Sequence, residues 1–149
     1  MLFRSRGPLL DDPVNAPHST SRLRVRYAET DQMGIVYYAN YLVWFEVART
    51  NLLRDSGWTY RDMEAEGFML PVVEAHCEYR QPARYDDELE IQTRGALLSH
   101  VRMRFDYDVV RVADAAVLAG GHTVHACLDT GGRPRRFPDR VRALLTESS

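Results

Sequence analysis

The segment ANYLVWFEVARTNLLRDSG, residues 39–57, constrains the fold more than any other stretch of the chain. It reads as a helix from about Asn40 to Ser56, closed by Gly57 at the C′ position, where a left-handed backbone is needed. Leu42, Phe45, Ala48 and Leu52 share one face of the helical wheel. Tyr41, Val43, Trp44, Val47 and Leu53 extend the apolar surface nearly all the way round. A surface helix carries an apolar stripe, whereas a helix apolar on all sides must be enclosed. The rest of the chain therefore has to wrap it.

The wrapping material is β-structure. RLRVRYAE, residues 22–29, sets Leu23, Val25 and Tyr27 against Arg22, Arg24 and Arg26, the alternation of a half-buried strand. A polar turn over 30–38 leads into the helix. TYRDMEAEG gives a short second helix, with Thr59 as N-cap and Asp62 at capping-box spacing. Strands follow in FMLPVVEAHCEYR, ELEIQTRGALLS, HVRMRFDYDVVRV and AVLAGGHTVHACLD. Pro71 predicts an edge position or bulge for the first of these. Gly120-Gly121 predicts a bulge or a close backbone approach in the last. The third alternates most cleanly, with Val101, Met103, Phe105, Tyr107 and Val109 facing one way. QPARYDD and TGGRP are loops, and PDRVRALLTE is a short terminal helix opened by Pro138. The expected class is α+β, a curled antiparallel sheet wrapped around one long central helix. At 149 residues this is one domain, placed at 22–149 behind a flexible extension over 1–21.

Composition removes several function classes. A net charge of −2 argues against nucleic-acid binding. No apolar run approaches the length of a membrane span, and the first residues lack the continuous apolar core of a signal peptide. Cys77 and Cys127 fall in apolar strand-like runs and read as buried, reduced thiols of a cytoplasmic protein. All 19 basic residues are arginine, the better side chain for bidentate binding of phosphate or carboxylate. His122, His125 and Cys127 do not make a metal site, because on a strand the two histidines point to opposite faces. Cys77 has no base beside it to act as a nucleophile. Glu46 and Arg49, three apart on the helix, read as a structural ion pair. Asp31 has two readings from the residues alone: an Asx residue holding the turn, or a reagent delivered to the helix start by the flexible Gly34.

The stretch ETDQMGIVYYANYLVWFEVART resembles the signature of the hotdog-fold acyl-CoA thioesterases of the 4-hydroxybenzoyl-CoA thioesterase family. YRQPARYDDELEIQT resembles the strand-loop-strand that follows the helix in that family, and the resemblance covers about residues 22–137. It implies a hotdog fold, an acyl-CoA substrate and no cofactor or metal. It also implies at least a homodimer with a continuous sheet, commonly paired into homotetramers, with active sites at the subunit interface. Asp31 falls on the family's catalytic carboxylate, as nucleophile or general base. Tyr38 and Ala39 fall at the helix start, whose backbone amides hold the thioester carbonyl. Tyr38 stands where many members carry His, which removes a His-assisted mechanism and tilts the chain toward the aroyl-CoA branch. Gly34, Val36 and Tyr37 are expected among the substrate-binding residues, Tyr37 otherwise serving as packing. Coenzyme A brings phosphates, and the expected cations are Arg80, Arg84, Arg133 and Arg135 on two loops. The alternative is a non-enzymatic hotdog module that binds an acyl group or only assembles. A dehydratase on the same fold needs a His-carboxylate pair, and no histidine lies between His18 and His76.

Overall fold

The computed structural model describes residues 18–146; most of the expected extension, residues 1–17, lies outside them. The elements in order are β1 (His18–Arg24), α1 (Asn40–Asp55), α2 (Tyr60–Ala65), β2 (Val72–Tyr79), β3 (Glu88–Ser99), β4 (Arg102–Arg111), β5 (Ala116–Ala126) and α3 (Asp139–Thr146). A single 3-10 turn, Tyr27–Glu29, sits between β1 and α1. The strands form one antiparallel sheet in the order β1-β3-β4-β5-β2, with α1 against its inner face. This is the α+β hotdog architecture expected from the sequence. No helix among the described residues is long and apolar enough to cross a membrane.

The core is the contact between α1 and the alternating residues of β3, β4 and β5. Phe45 stacks on Tyr107 with ring centroids 4.1 Å apart and planes 3° from parallel. Around that pair lie Trp44, Ala48, Leu52, Leu89, Ile91, Met103, Phe105 and Val109, all buried. Each of the buried Leu, Ile, Val, Phe and Met side chains contributes about 1.5–3 kcal/mol by leaving water. The closest approach is at Gly121, where an added Cβ would lie 2.2 Å from the His76 carbonyl oxygen and 2.9 Å from Phe45. The glycine signal in the sequence was thus a close approach of backbones. The register shift near the middle of the sheet lies instead between Val109 and Val110.

The helix ends follow their local chemistry. Gly57, at φ +90, donates to Arg54 O while Trp58 N–H reaches Leu53 O, the paired bonds of a Schellman motif. Thr59 and Asp62 close α2 by the reciprocal capping box. Pro71 precedes β2, which is an edge strand with a register shift between Val72 and Glu74.

Three expectations need correcting. The first strand starts at His18, inside the segment read as an extension, and stops at Arg24. Tyr27 leaves the sheet in the 3-10 turn and is 77% exposed. The buried stripe of α1 runs through Tyr41, Trp44, Phe45, Ala48, Arg49, Leu52 and Leu53, so Leu42 does not belong to it. Leu42, Val43 and Val47 face outward, and one chain alone does not enclose its helix.

Candidate active site

The turn before α1 is set by backbone hydrogen bonds. Asp31 N–H donates to Ile35 O, and Gly34 N–H returns to Asp31 O, both at 2.9 Å. Gly34 takes φ +79, which a residue with a Cβ resists. Asp31 Oδ1 accepts the Met33 N–H at 2.8 Å, the Asx arrangement, and Oδ2 carries no hydrogen bond among the described residues. Val36 N–H then donates to Ala83 O and Tyr37 N–H to Glu29 O, each at 2.9 Å.

From that point the chain enters α1 without a side-chain cap. Ala39 occupies the N-cap position at φ −67, and no side chain accepts from the helix start. Asn40 turns away, its Nδ2 donating to Glu29 O at 2.9 Å. The amides of Tyr38 and Ala39 have no acceptor among the described residues. Orphan N–H groups at a helix start carry the positive end of the helix dipole and suit an anion or a polarised carbonyl.

Beside this helix start lies a cleft of about 300 Å³ lined by Ile35, Val36, Tyr38, Tyr41, Tyr79, Arg80, Gln81 and Pro82. Tyr79 Oη donates to Tyr38 O at 2.9 Å, and Tyr41 Oη accepts from Ala83 N–H at 3.2 Å. Tyr38 and Tyr41 each meet Tyr79 edge to face. Burial raises the Tyr41 and Tyr79 hydroxyls above the usual phenol range, so they stay protonated. Asp31 stands on the adjoining turn, outside the cleft lining. Val36 and Tyr38 line the cleft; Gly34 and Tyr37 do not. Tyr37 lies against the Tyr38 ring at 4.7 Å.

The expected cations divide. Arg80 lines the cleft and pairs with Glu78 at 3.0 Å. Arg84 is exposed and bridges through its backbone to Ile35, beside the same cleft. Arg133 is exposed near the other end of β2, where Met69 pairs with Leu128. Arg135 is engaged otherwise: it stacks over Phe68 at 3.7 Å and donates to Glu66 O and Gly67 O. It ties the C-terminal loop to the end of α2.

The structure does not pair Glu46 with Arg49. Glu46 is exposed, while Arg49 is 9% exposed and donates through Nε to Tyr60 Oη at 3.3 Å. The three-residue spacing put both on one side of α1, but the buried stripe takes Arg49 into the core and leaves Glu46 outside it.

Burial pushes the Cys77 and Cys127 thiols up to about 11, which leaves no thiolate at neutral pH. His122 meets Glu74 at 2.7 Å on the outer face of the sheet, and His125 is buried on the inner face. Two residues not singled out from the sequence organise the site. Tyr79 enters it from the inward side of β2, a position its alternation with Cys77 could have signalled. Glu29 is a buried carboxylate whose Oε1 accepts the Arg26 N–H at 2.8 Å and whose Oε2 accepts the Trp44 indole N–H at 3.0 Å. Its capping-box relation to Arg26 was the only local trace.

Residues 25–145 match the family model described as Thioesterase-like superfamily. The chain is 52% identical over 75 residues to the putative acyl-CoA thioesterase YneP of Bacillus subtilis, covering 50% of this chain and 54% of that protein. It is 34% identical over 122 residues to the acyl-CoA thioester hydrolase YbgC of Escherichia coli O6:H1, covering 81% and 90%. The crystal structure of the DHNA-CoA thioesterase from Staphylococcus aureus superposes with a TM-score of 0.79 at 31% identity, covering 89% and 95%. By fold, extent of match and identity, the chain belongs to the thioesterase-like superfamily and is a thioester hydrolase of hotdog fold.

Proposed function

We propose that the protein hydrolyses an acyl- or aroyl-CoA to the free acid and coenzyme A, with Asp31 as the side-chain reagent and the amides of Tyr38 and Ala39 as the oxyanion hole. The observation that carries this reading is the uncapped start of α1, where two amides lie without acceptors beside a tyrosine-walled cleft. In this reading the thioester carbonyl oxygen accepts from those amides, which strengthen their hold as negative charge develops. Asp31 either attacks the carbonyl carbon, giving an anhydride that water then opens, or takes the proton from an attacking water. The C–S bond breaks with its electron pair going to sulfur. A thiol with a pKa of about 8.5 leaves as thiolate without a dedicated acid. Arg80 and Arg84 beside the cleft, and Arg133, meet the phosphates of coenzyme A.

The working unit in this proposal is a homodimer joined through β2, paired again into a homotetramer. What supports it is an eight-residue edge strand with Val72, Val73 and Tyr79 each about half exposed, and the outward Leu42, Val43 and Val47 of α1. An open edge and an apolar stripe invite a second copy, and β2 against β2 extends the sheet across a two-fold axis. The setting is the cytoplasm, where its two unpaired thiols persist. Thiol release from short, long and aromatic acyl-CoAs tests the activity, with light scattering for the assembly. Turnover of at least one substrate by a dimer or tetramer is the expected result. A folded monomer inert toward all of them contradicts the proposal.

A further inference from the structure

Arg49 faces the start of a hydrogen-bonded chain that crosses the core. Its guanidinium reaches Tyr60 Oη and also faces the Tyr107 hydroxyl. Tyr107 Oη lies 2.7 Å from Thr123 Oγ1, which lies 2.9 Å from His125 Nε2. His125 Nδ1 lies 3.1 Å from the Leu70 carbonyl oxygen. A group that only accepts stands at the far end, the Leu70 carbonyl, and it fixes every proton back to Tyr107. Leu70 O accepts, so Nδ1 carries the imidazole proton. The buried ring is neutral, so Nε2 accepts from Thr123. Thr123 then accepts from Tyr107, whose hydroxyl faces the Arg49 cation.

Tyr60 is the member left over. Its oxygen accepts from Arg49, but its own proton has no acceptor among the described residues. The Arg49 cation has no carboxylate partner among those residues either, so nothing offers a stronger acceptor that would release Tyr60 from this role. Tyr60 is half-buried and lines a second cleft of about 360 Å³ with Met63, Glu64, Phe68, Met69 and Leu70. A cavity of about 150 Å³ already takes a benzene ring, so this one has room for a chain end or a ring.

The two clefts lie at opposite ends of β2. Tyr79 and Arg80 belong to one, and Leu70 and Pro71, just before Val72, to the other. Antiparallel pairing of two β2 edges lays the Tyr79 end of one copy on the Val72 end of the second. Each helix-start cleft then meets the second copy's Tyr60 cleft. We infer that the Tyr60 hydroxyl is the specificity-determining donor for the far end of the acyl group, and that it selects a neutral oxygen acceptor there, such as a keto or ether oxygen. Glu64 on the same wall repels a carboxylate end, and the apolar lining offers nothing to a cation. This inference rests on the thioesterase reading and on the β2 pairing proposed above.

The test compares kcat/KM for matched substrates that differ by one oxygen: octanoyl-CoA with 7-oxo-octanoyl-CoA, and benzoyl-CoA with 4-methoxybenzoyl-CoA. The wild type should favour the oxygen-bearing member by about tenfold, the worth of one good hydrogen bond. In Tyr60→Phe that ratio should fall to near one, and Tyr60→His, which keeps a donor, should recover part of it. A ratio near one in the wild type, or an unchanged ratio in Tyr60→Phe, overturns the inference while leaving the thioesterase reading intact. No thiol release from any of the four overturns that reading, and this inference with it.

Discussion

The indole N–H of Trp44 donates to the Glu29 carboxylate across 3.0 Å, and this bond joins the turn that carries Asp31 to the helix that carries the orphan amides. Glu29 is 7% exposed, its other oxygen holds the Arg26 N–H, and its carbonyl receives both Tyr37 N–H and Asn40 Nδ2. Glu29→Ala leaves a buried indole donor unpaired, a loss of about 2–3 kcal/mol. Thermal unfolding should move down by roughly 5–10 °C, and kcat should fall as the helix start loses its anchor. An unchanged melting temperature would mean that water replaces the carboxylate.

Ala39→Pro removes one proposed oxyanion donor and also strains Tyr38. Ala39 is the third residue of the turn closed by Asn40 N–H to Tyr37 O, and proline disfavours a helical backbone in the residue before it. Its φ of −67 suits proline, and its N–H makes no hydrogen bond to lose. The variant should melt at a lower temperature, and its folded fraction should show kcat down about a hundredfold, the usual effect of deleting one such donor. Equal kcat in a folded variant would take the Ala39 amide out of the mechanism.

Gly121→Ala forces a methyl group to 2.2 Å from the His76 carbonyl oxygen. The atom in the way is backbone, so β2 must shift away from β5, at about 3 kcal/mol or more. Hydrogen exchange should accelerate along β2, and the proposed assembly should weaken, since the proposal joins the copies through that edge. Protection of β2 as strong as in the wild type would contradict this.

Burial, with the Arg49 charge beyond it, holds His125 down to about 4 from its ordinary 6.5. Between those values the unfolded chain binds a proton that the folded chain does not. Stability is therefore complete above about pH 6.5 and falls as pH drops toward 4. At about 1.4 kcal/mol per pH unit, the loss across that window is roughly 3 kcal/mol. Urea unfolding at pH 7.5 and 4.5 measures it, and His125→Asn should flatten the difference. Parallel curves for the two proteins would assign the acid sensitivity to other groups.

Local chemistry was legible in the sequence, and long-range partnership was not. The Gly57 stop, the Thr59–Asp62 box, the alternation of β4 and the glycine at 121 each depend on a few neighbouring residues, and each was found where expected. The start of β1 was missed because its inward positions are Ser19 and Ser21. These face Asp55 and Asn51 through hydroxyl bonds and so carry no apolar alternation. The buried stripe of α1 was misassigned because a helix apolar on every side gives a 3.6 period no direction. The Arg49–Tyr60 pair and the Tyr107–Thr123–His125 chain it faces draw on four elements and were beyond any local signal. The turn around Asp31 was recognised through its resemblance to a family, and its Asx bond would have served the structural reading equally well.

The measurement that tests the account most directly is kcat on the best acyl-CoA substrate for the wild type and Asp31→Asn, which keeps the side chain's shape and removes its charge. Met33 N–H can still be accepted by the amide oxygen, so the turn should hold. The expected result is a folded variant of unchanged assembly that retains about one per cent of wild-type kcat or less, a loss of at least about 2.7 kcal/mol of transition-state stabilisation. A folded variant with wild-type kcat would show that Asp31 only shapes the turn, and that the reagent lies elsewhere.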